Sequence, residues 1–174
     1  LDRYNSERQA IEAGVQDDAL ARLFEKHGGE PPGPLAFVAG EDWHPGVIGI
    51  VAGRLKERFN MPALVIAIDD QGIGKGSARS VSGVDLGAAV TAARQAGLLV
   101  NGGGHKMAAG LTVEAAKIPA LEAFLTERLR EPFARAQEGR ALLLDGALAA
   151  GAVTLELVEK LQAAGPYGSG NPGP

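Results

Sequence analysis

Six consecutive apolar residues, Ala63-Leu64-Val65-Ile66-Ala67-Ile68, stand between Pro62 and the pair Asp69-Asp70. A run of this length without polar alternation is the pattern of an interior strand covered on both faces. The segments around it supply the covers. Val47, Ile48, Val51, Ala52, Leu55 and Phe59 recur at helical intervals and describe a helix buried along one face, with Pro62 as its stop. A Gly-rich turn from Asp70 to Gly72 leads into a second strand, Lys75 to Arg79, so the pair reads as a hairpin. Asp85 can cap a helix running to Gln95, closed by Gly97. A short strand is expected over Leu35 to Ala39 and another over Leu111 to Val113. Leu121, Phe124, Leu125 and Leu129 mark a helix from about Ile118 to Arg130, which either covers the sheet or meets another domain. Strands alternating with helices predict an α/β fold: a mixed β-sheet with helices on both faces.

Both ends are looser. Asn5 or Ser6 is a candidate cap for a first helix to about Lys26, with a thin stripe of Ile11, Val15, Leu20 and Leu23 and Gly28-Gly29 as the stop. The rigid stretch Glu30-Pro31-Pro32-Gly33-Pro34 separates it from the compact part. The expected divisions are 1–33 as a linker helix, 34–137 as the main domain and 138–174 as an extension. In that extension Ala141 to Asp145 reads as a strand, and Leu155, Val158 and Leu161 as a helix. The chain opens at Leu1 instead of Met and closes in the turn-like run from Gly165, so it reads as a segment of a longer protein.

Composition narrows the chemistry. The absence of cysteine removes disulfide scaffolds, thiol nucleophiles and Cys-ligated zinc. No apolar run reaches the ~18–20 residues of a membrane span, and a cytoplasmic location is the expectation. A net charge of −4 speaks against a broad basic surface, and 5% aromatics leaves few platforms for stacking bases. The charge is segregated, however: residues 1–42 carry −5, residues 43–110 carry +3, and residues 111–174 carry −2. Glycine, 25 of 174 residues, is about twice its usual ~7% share and points to turns or close backbone approaches.

All three candidate anion sites fall in the positive segment. Gly102-Gly103-Gly104-His105-Lys106 reads as a loop whose uncovered N–H groups, with positive φ available, form a concave set of donors, edged by His105 and Lys106. A flexible loop with one surface histidine fits the spacing equally. In Gly74-Lys75-Gly76-Ser77-Ala78-Arg79-Ser80, an extended chain places Lys75, Ser77 and Arg79 on one face, a hydroxyl between two cations suited to a terminal phosphate. A solvated hairpin face is the alternative. Trp43-His44-Pro45-Gly46 sets His44 beside helix N-terminal amides, or holds it as a turn residue against Trp43.

Other sites fail residue by residue. Asp69 stands where a Walker loop needs its first glycine, and Gly76 follows Gly74-Lys75 where Ser or Thr is required. Ser77 occupies the third glycine position of a dinucleotide fingerprint. No Gly-x-Ser-x-Gly elbow occurs. With His27, His44 and His105 as the only histidines, a self-contained catalytic metal site is not expected. Asp69 and Asp70 read as a hairpin turn.

Three stretches in order, Trp43-His44-Pro45-Gly46-Val47-Ile48-Gly49-Ile50-Val51-Ala52, Gly76-Ser77-Ala78-Arg79-Ser80 and Gly102-Gly103-Gly104-His105-Lys106-Met107-Ala108-Ala109-Gly110-Leu111-Thr112, resemble the DHH-associated domain of the RecJ single-stranded-DNA-specific exonucleases. Leu1 to Arg8 resembles the helix that follows the family's catalytic DHH domain, and Gly165 to Pro174 the segment leading to its oligonucleotide-binding-fold domain. The resemblance implies a division of labour. Mn2+ or Mg2+ ligands would lie on the DHH domain, whose Asp-His-His triplet is missing here, and this domain would grip single-stranded DNA from across the cleft. Ser77 and Arg79 would hold the terminal 5′ phosphate. The glycine run and His105 would contact the phosphate being cleaved, and His44 would lie near that cleft. The chain alone is then expected to be inactive, and the whole protein to be a 5′-to-3′ exonuclease of DNA repair and recombination. Two alternatives share the features: the same domain of an oligoribonuclease or cyclic-dinucleotide phosphodiesterase, and a non-catalytic nucleic-acid-binding module.

Overall fold

The structure, a computed structural model, describes residues 2–30, 32–138 and 146–168. It divides into two compact units, Leu1–Gly139 and Arg140–Pro174. The first is the α/β unit. Its elements run α1 (Asp2–His27), β1 (Ala36–Glu41), α2 (Ile48–Phe59), β2 (Ala63–Ile68), β3 (Ile73–Arg79), α3 (Leu86–Gln95), β4 (Asn101–His105), β5 (Ala108–Glu114) and α4 (Ile118–Glu138).

The five strands form one mixed sheet in the order β1-β2-β3-β5-β4. β1 and β2 are parallel, and the other neighbours are antiparallel. The apolar run is β2, next to the edge strand β1 and buried on both faces: Leu64 and Ile66 point to one core, Ala63, Val65 and Ala67 to the other. The first core is the larger. Beneath α3 and α4 it runs across the sheet from Leu35 and Phe37 to Ala109, Leu111 and Val113, and Leu121, Leu125 and Leu129 of α4 close it. So α4 covers the sheet, and it continues through Pro132 to Glu138, beyond its expected end at Arg130. The second core joins α1 and α2 to β1 and β2 only. From β3 onward that face changes character, because Lys75, Ser77 and Arg79 replace the apolar residues. One face of the sheet packs under α3 and α4 across β1, β2, β3 and β5; the other is covered over half its width.

Local chemistry explains the boundaries. Asp85 accepts the Ala88 N–H at 2.9 Å and starts α3. Asp69 Oδ1 accepts the Gln71 and Ile73 N–H groups at 3.0 and 2.9 Å, shaping the β2–β3 turn. α2 stops earlier than Pro62 requires, because Asn60 adopts the left-handed conformation at φ 52°. α1 starts at Asp2, so Asn5 and Ser6 lie inside it instead of at its N-cap; its stop at Gly28, φ 61°, is as expected. Val15, Ala19 and Leu23 of α1 are buried, and the Trp43 Nε1–H donates to Asp18 at 2.9 Å, tying α1 to the loop before α2. β1, β3 and β5 each exceed or shift from their expected spans by a few residues.

The principal correction concerns the glycine run. Residues 101–105 are not a loop but the edge strand β4, paired with β5 in the register Asn101↔Thr112, Gly103↔Gly110 and His105↔Ala108. None of Gly102, Gly103 and Gly104 has positive φ. The sequence offers little strand propensity there, and tertiary contacts override it. Gly87 of α3 lies so close to the Gly104 and His105 carbonyls that a Cβ would sit 2.9 and 2.8 Å from them. The two-residue tip, Lys106-Met107, is pinned by the Leu86 N–H to Lys106 O and the Ser80 N–H to Met107 O, at 3.1 and 2.9 Å.

In the second unit, α5 (Leu155–Ala163) is capped by Thr154, whose hydroxyl accepts the Leu157 N–H at 3.3 Å. The strand expected over Ala141 to Asp145 lies outside the described residues.

Candidate nucleic-acid interface

The uncovered half-face is assembled by strand register. Side chains alternate along each strand, and residues directly opposite share a face. Three rows follow: Arg79–Ala108–His105, Ser77–Gly110–Gly103 and Lys75–Thr112–Asn101. The middle row has no side chain on two of its three strands. This leaves a bare backbone floor with cations and donors on either side. A cavity of about 340 Å³ lies over the β4–β5 part of it, lined by Asn101, Gly102, Gly103, Gly110, Leu111 and Thr112.

The floor is bare for no internal reason. A Cβ built at Gly103 meets nothing within 4 Å, and one at Gly110 meets only Gly76 O at 3.9 Å. Neither residue has positive φ. Glycine inside a strand weakens it, and here neither packing nor backbone conformation demands it.

At the β3 border the donors are organised. Arg79 Nη1 donates to Ser77 Oγ at 3.1 Å and to Ala78 O at 2.9 Å, which holds the guanidinium along the strand. The first turn of α2 stands against this pair: a Cβ at Gly49 would be 3.1 Å from Arg79 Nη2 and 3.2 Å from Ser77 Oγ. The N-cap residue of that helix, Val47, supplies no side-chain acceptor to the first-turn amides. Among the described residues no carboxylate pairs with Lys75, Arg79 or Lys106, whereas Arg8 and Arg54 flank Glu12 and Lys26 pairs with Glu122. A half-buried guanidinium with no carboxylate partner, beside a hydroxyl and helix amides, is chemistry suited to a phosphate.

The structure therefore brings Lys75, Ser77, Arg79, Gly103 and His105 onto one face. Gly102 and Gly104 point the other way, toward the covered core, and Lys106 is exposed at the β4–β5 tip. His44 is placed differently. Its Nδ1 accepts the Gly46 N–H at 3.0 Å, so the proton of the neutral ring is on Nε2. It lines a separate cavity of about 640 Å³ with Glu41, Asp42, Asp69 and Asp70, an acidic setting. Gly110, Thr112 and Asn101 lie on the open half-face and Gly49 of α2 stands against its Arg79–Ser77 border, and the sequence alone does not assign them there. The two isolated glycines, one inside a helical pattern and one inside a strand pattern, are the available signal.

Comparison with known proteins agrees with this architecture. The model of the DHHA1 domain matches residues 33–131. The chain belongs to the DHHA1 domain family. This DHHA1 chain is 36% identical over 180 residues to the single-stranded-DNA-specific exonuclease RecJ of Bacillus subtilis, covering all of the chain and 22% of that protein. It is 35% identical to the RecJ of Escherichia coli, covering 31% of it. The crystal structure of RecJ from Thermus thermophilus in complex with Mn2+ superimposes with a TM-score of 0.72 at 30% identity, over 98% of this chain and 24% of that one. The DHHA1 chain thus spans between a fifth and a third of the curated relatives it matches. No helix among its described residues is long and apolar enough to cross a membrane.

Proposed function

We propose that this DHHA1 domain is the substrate-gripping part of a cytoplasmic single-stranded-DNA exonuclease that degrades from 5′ ends in repair and recombination. The observation that supports this reading is the bare Gly103–Gly110 floor, open to solvent and bordered by Ser77, Arg79 and His105. A sugar-phosphate backbone can lie directly on main chain there. Ser77, the Arg79 guanidinium and the first turn of α2 hold a terminal 5′ phosphate, and His105 with the β4 backbone contacts the next phosphodiester. Few aromatics border the floor, so the grip is on phosphate and sugar and tolerates any base sequence.

Among the described residues no group of three or more His, Cys, Asp or Glu could hold a metal ion. The Thermus thermophilus RecJ structures are complexes with Mg2+ or Mn2+. In the proposed whole protein that ion, and the activated water it supplies, belong to a DHH domain preceding the linker helix 1–33. An oligonucleotide-binding-fold domain follows the extension 138–174. What residues 34–137 contribute is orientation of the strand and offset of the charge that develops at phosphorus.

The test is binding of a 5′-phosphorylated against a 5′-hydroxyl oligothymidylate. Arg79→Ala removes charge-assisted hydrogen bonds worth about 1.5–3 kcal/mol, so preference for the phosphorylated end is expected to fall roughly 10- to 100-fold. Unchanged preference contradicts the assignment. Manganese-dependent release of nucleotides by this chain alone contradicts the division of labour.

A further inference from the structure

The row Lys75–Thr112–Asn101 is not used by the grip just described. It stands on the same open face, two rows along the strands from Arg79–Ala108–His105, with the glycine row between. Lys75 and Asn101 are exposed and Thr112 is half-buried. Asn101 spends its carbonyl oxygen on the Gly102 N–H at 2.8 Å, which turns the side-chain amide into a donor for anything on the floor. Thr112 adds a hydroxyl and Lys75 an ammonium with no carboxylate partner among the described residues. The register sets these three donors in one row across the open face, and Asn101 and Thr112 of that row line the 340 Å³ cavity.

Spacing identifies what fits. Four residues of strand separate Arg79 from Lys75, a span of ~13 Å at 3.3–3.4 Å per residue. The six covalent bonds between successive phosphorus atoms of an extended nucleic-acid strand cover roughly half of that span, so two nucleotide steps carry the backbone from one row to the other. One row further, Ile73 pairs with Glu114, whose carboxylate faces the same way and is bound by Lys117 at 3.5 Å. That row holds an apolar side chain and a carboxylate already paired with a cation, so the run of unpaired donors ends at Lys75–Thr112–Asn101.

Resting on the grip proposed above, we infer that Lys75, Thr112 and Asn101 form a second phosphate subsite, two nucleotides from the terminal one, so that the domain measures three nucleotides. The strip takes the backbone of a single strand; it reads length, not base.

The experiment titrates the 174-residue chain with 5′-phosphorylated thymidine mono-, di-, tri- and tetranucleotides by calorimetry. Affinity is expected to rise up to the trinucleotide and then level. Thr112→Val with Asn101→Ala is expected to bring the trinucleotide about tenfold down, toward the dinucleotide, and to move the mononucleotide less than about twofold. Lys75→Gln is expected to reduce the slope of log K against log salt by about 0.7 for the trinucleotide. A plateau at the dinucleotide, a trinucleotide affinity unmoved by the double variant, or an unchanged salt slope overturns the subsite. The two readings fail separately. Mononucleotide binding that ignores Arg79→Ala defeats the terminal-phosphate grip, while a trinucleotide that still depends on Thr112 and Asn101 sustains the second row.

Discussion

The two faces of β3, β5 and β4 are made by the same strands and use glycine in opposite ways. On the covered face, Gly74, Gly76, Gly102 and Gly104 are small because something is in the way. Cβ atoms there would stand 2.7 Å from Ile66, 2.6 Å from Leu111, 3.0 Å from Leu99 and 2.3 Å from the Ala108 carbonyl. On the open face, Gly103 and Gly110 are small although nothing is in the way. One set of glycines is required by packing; the other is required by nothing within the chain, and the proposed grip on main chain supplies a reason for it. The difference splits a single sequence motif, since Gly102, Gly103 and Gly104 are consecutive yet answer to different constraints.

That contrast can be attacked from either side. The largest effect is expected in the covered core, where Leu121 is fully buried: Leu121→Ala should cost about 2–5 kcal/mol in denaturant unfolding, and a smaller loss would mean that α4 covers the sheet less firmly than its burial implies. Next comes Gly104→Ala. The obstructing atom is backbone, so the hairpin must open to admit the methyl, and a loss of at least about 1–3 kcal/mol is expected in the same measurement. Loss of the α3 cap in Asp85→Ala should cost about 1 kcal/mol and leave oligonucleotide affinity unchanged, since the Asp85 carboxylate serves only its own helix. The smallest stability effect belongs to the open face. Gly110→Ala should leave stability within about 0.4–1 kcal/mol of the parent in either direction, while weakening single-strand binding.

The same contrast shows how far residues alone reach. β2 lies over Ala63–Ile68 as its unbroken apolar run foretells, and α3 begins at the Asp85 cap, because both are local features. Lys75, Ser77 and Arg79 share a face for the equally local reason that strands alternate. The glycine run resists reading because nothing local in Gly-Gly-Gly favours a strand; pairing with β5 and the press of Gly87 from α3 make it one. Gly110, Thr112 and Asn101 are illegible as site residues because their place depends on register and on where α2 stops covering the sheet. His44 shows the limit from the other direction. Its position before a helix suggests an anion, and the cavity it lines also carries Glu41, Asp42, Asp69 and Asp70, the last two from a turn that no local spacing connects to it.

The most direct test of the open face is a paired measurement on Gly103→Ala: thermal unfolding, and affinity for a 5′-phosphorylated oligothymidylate. Because a Cβ at 103 meets nothing within 4 Å, the melting temperature should stay at or above that of the parent, while affinity falls about tenfold as the methyl lifts the strand from the floor. A variant that keeps its melting temperature and binds the oligonucleotide as tightly as the parent would contradict the account.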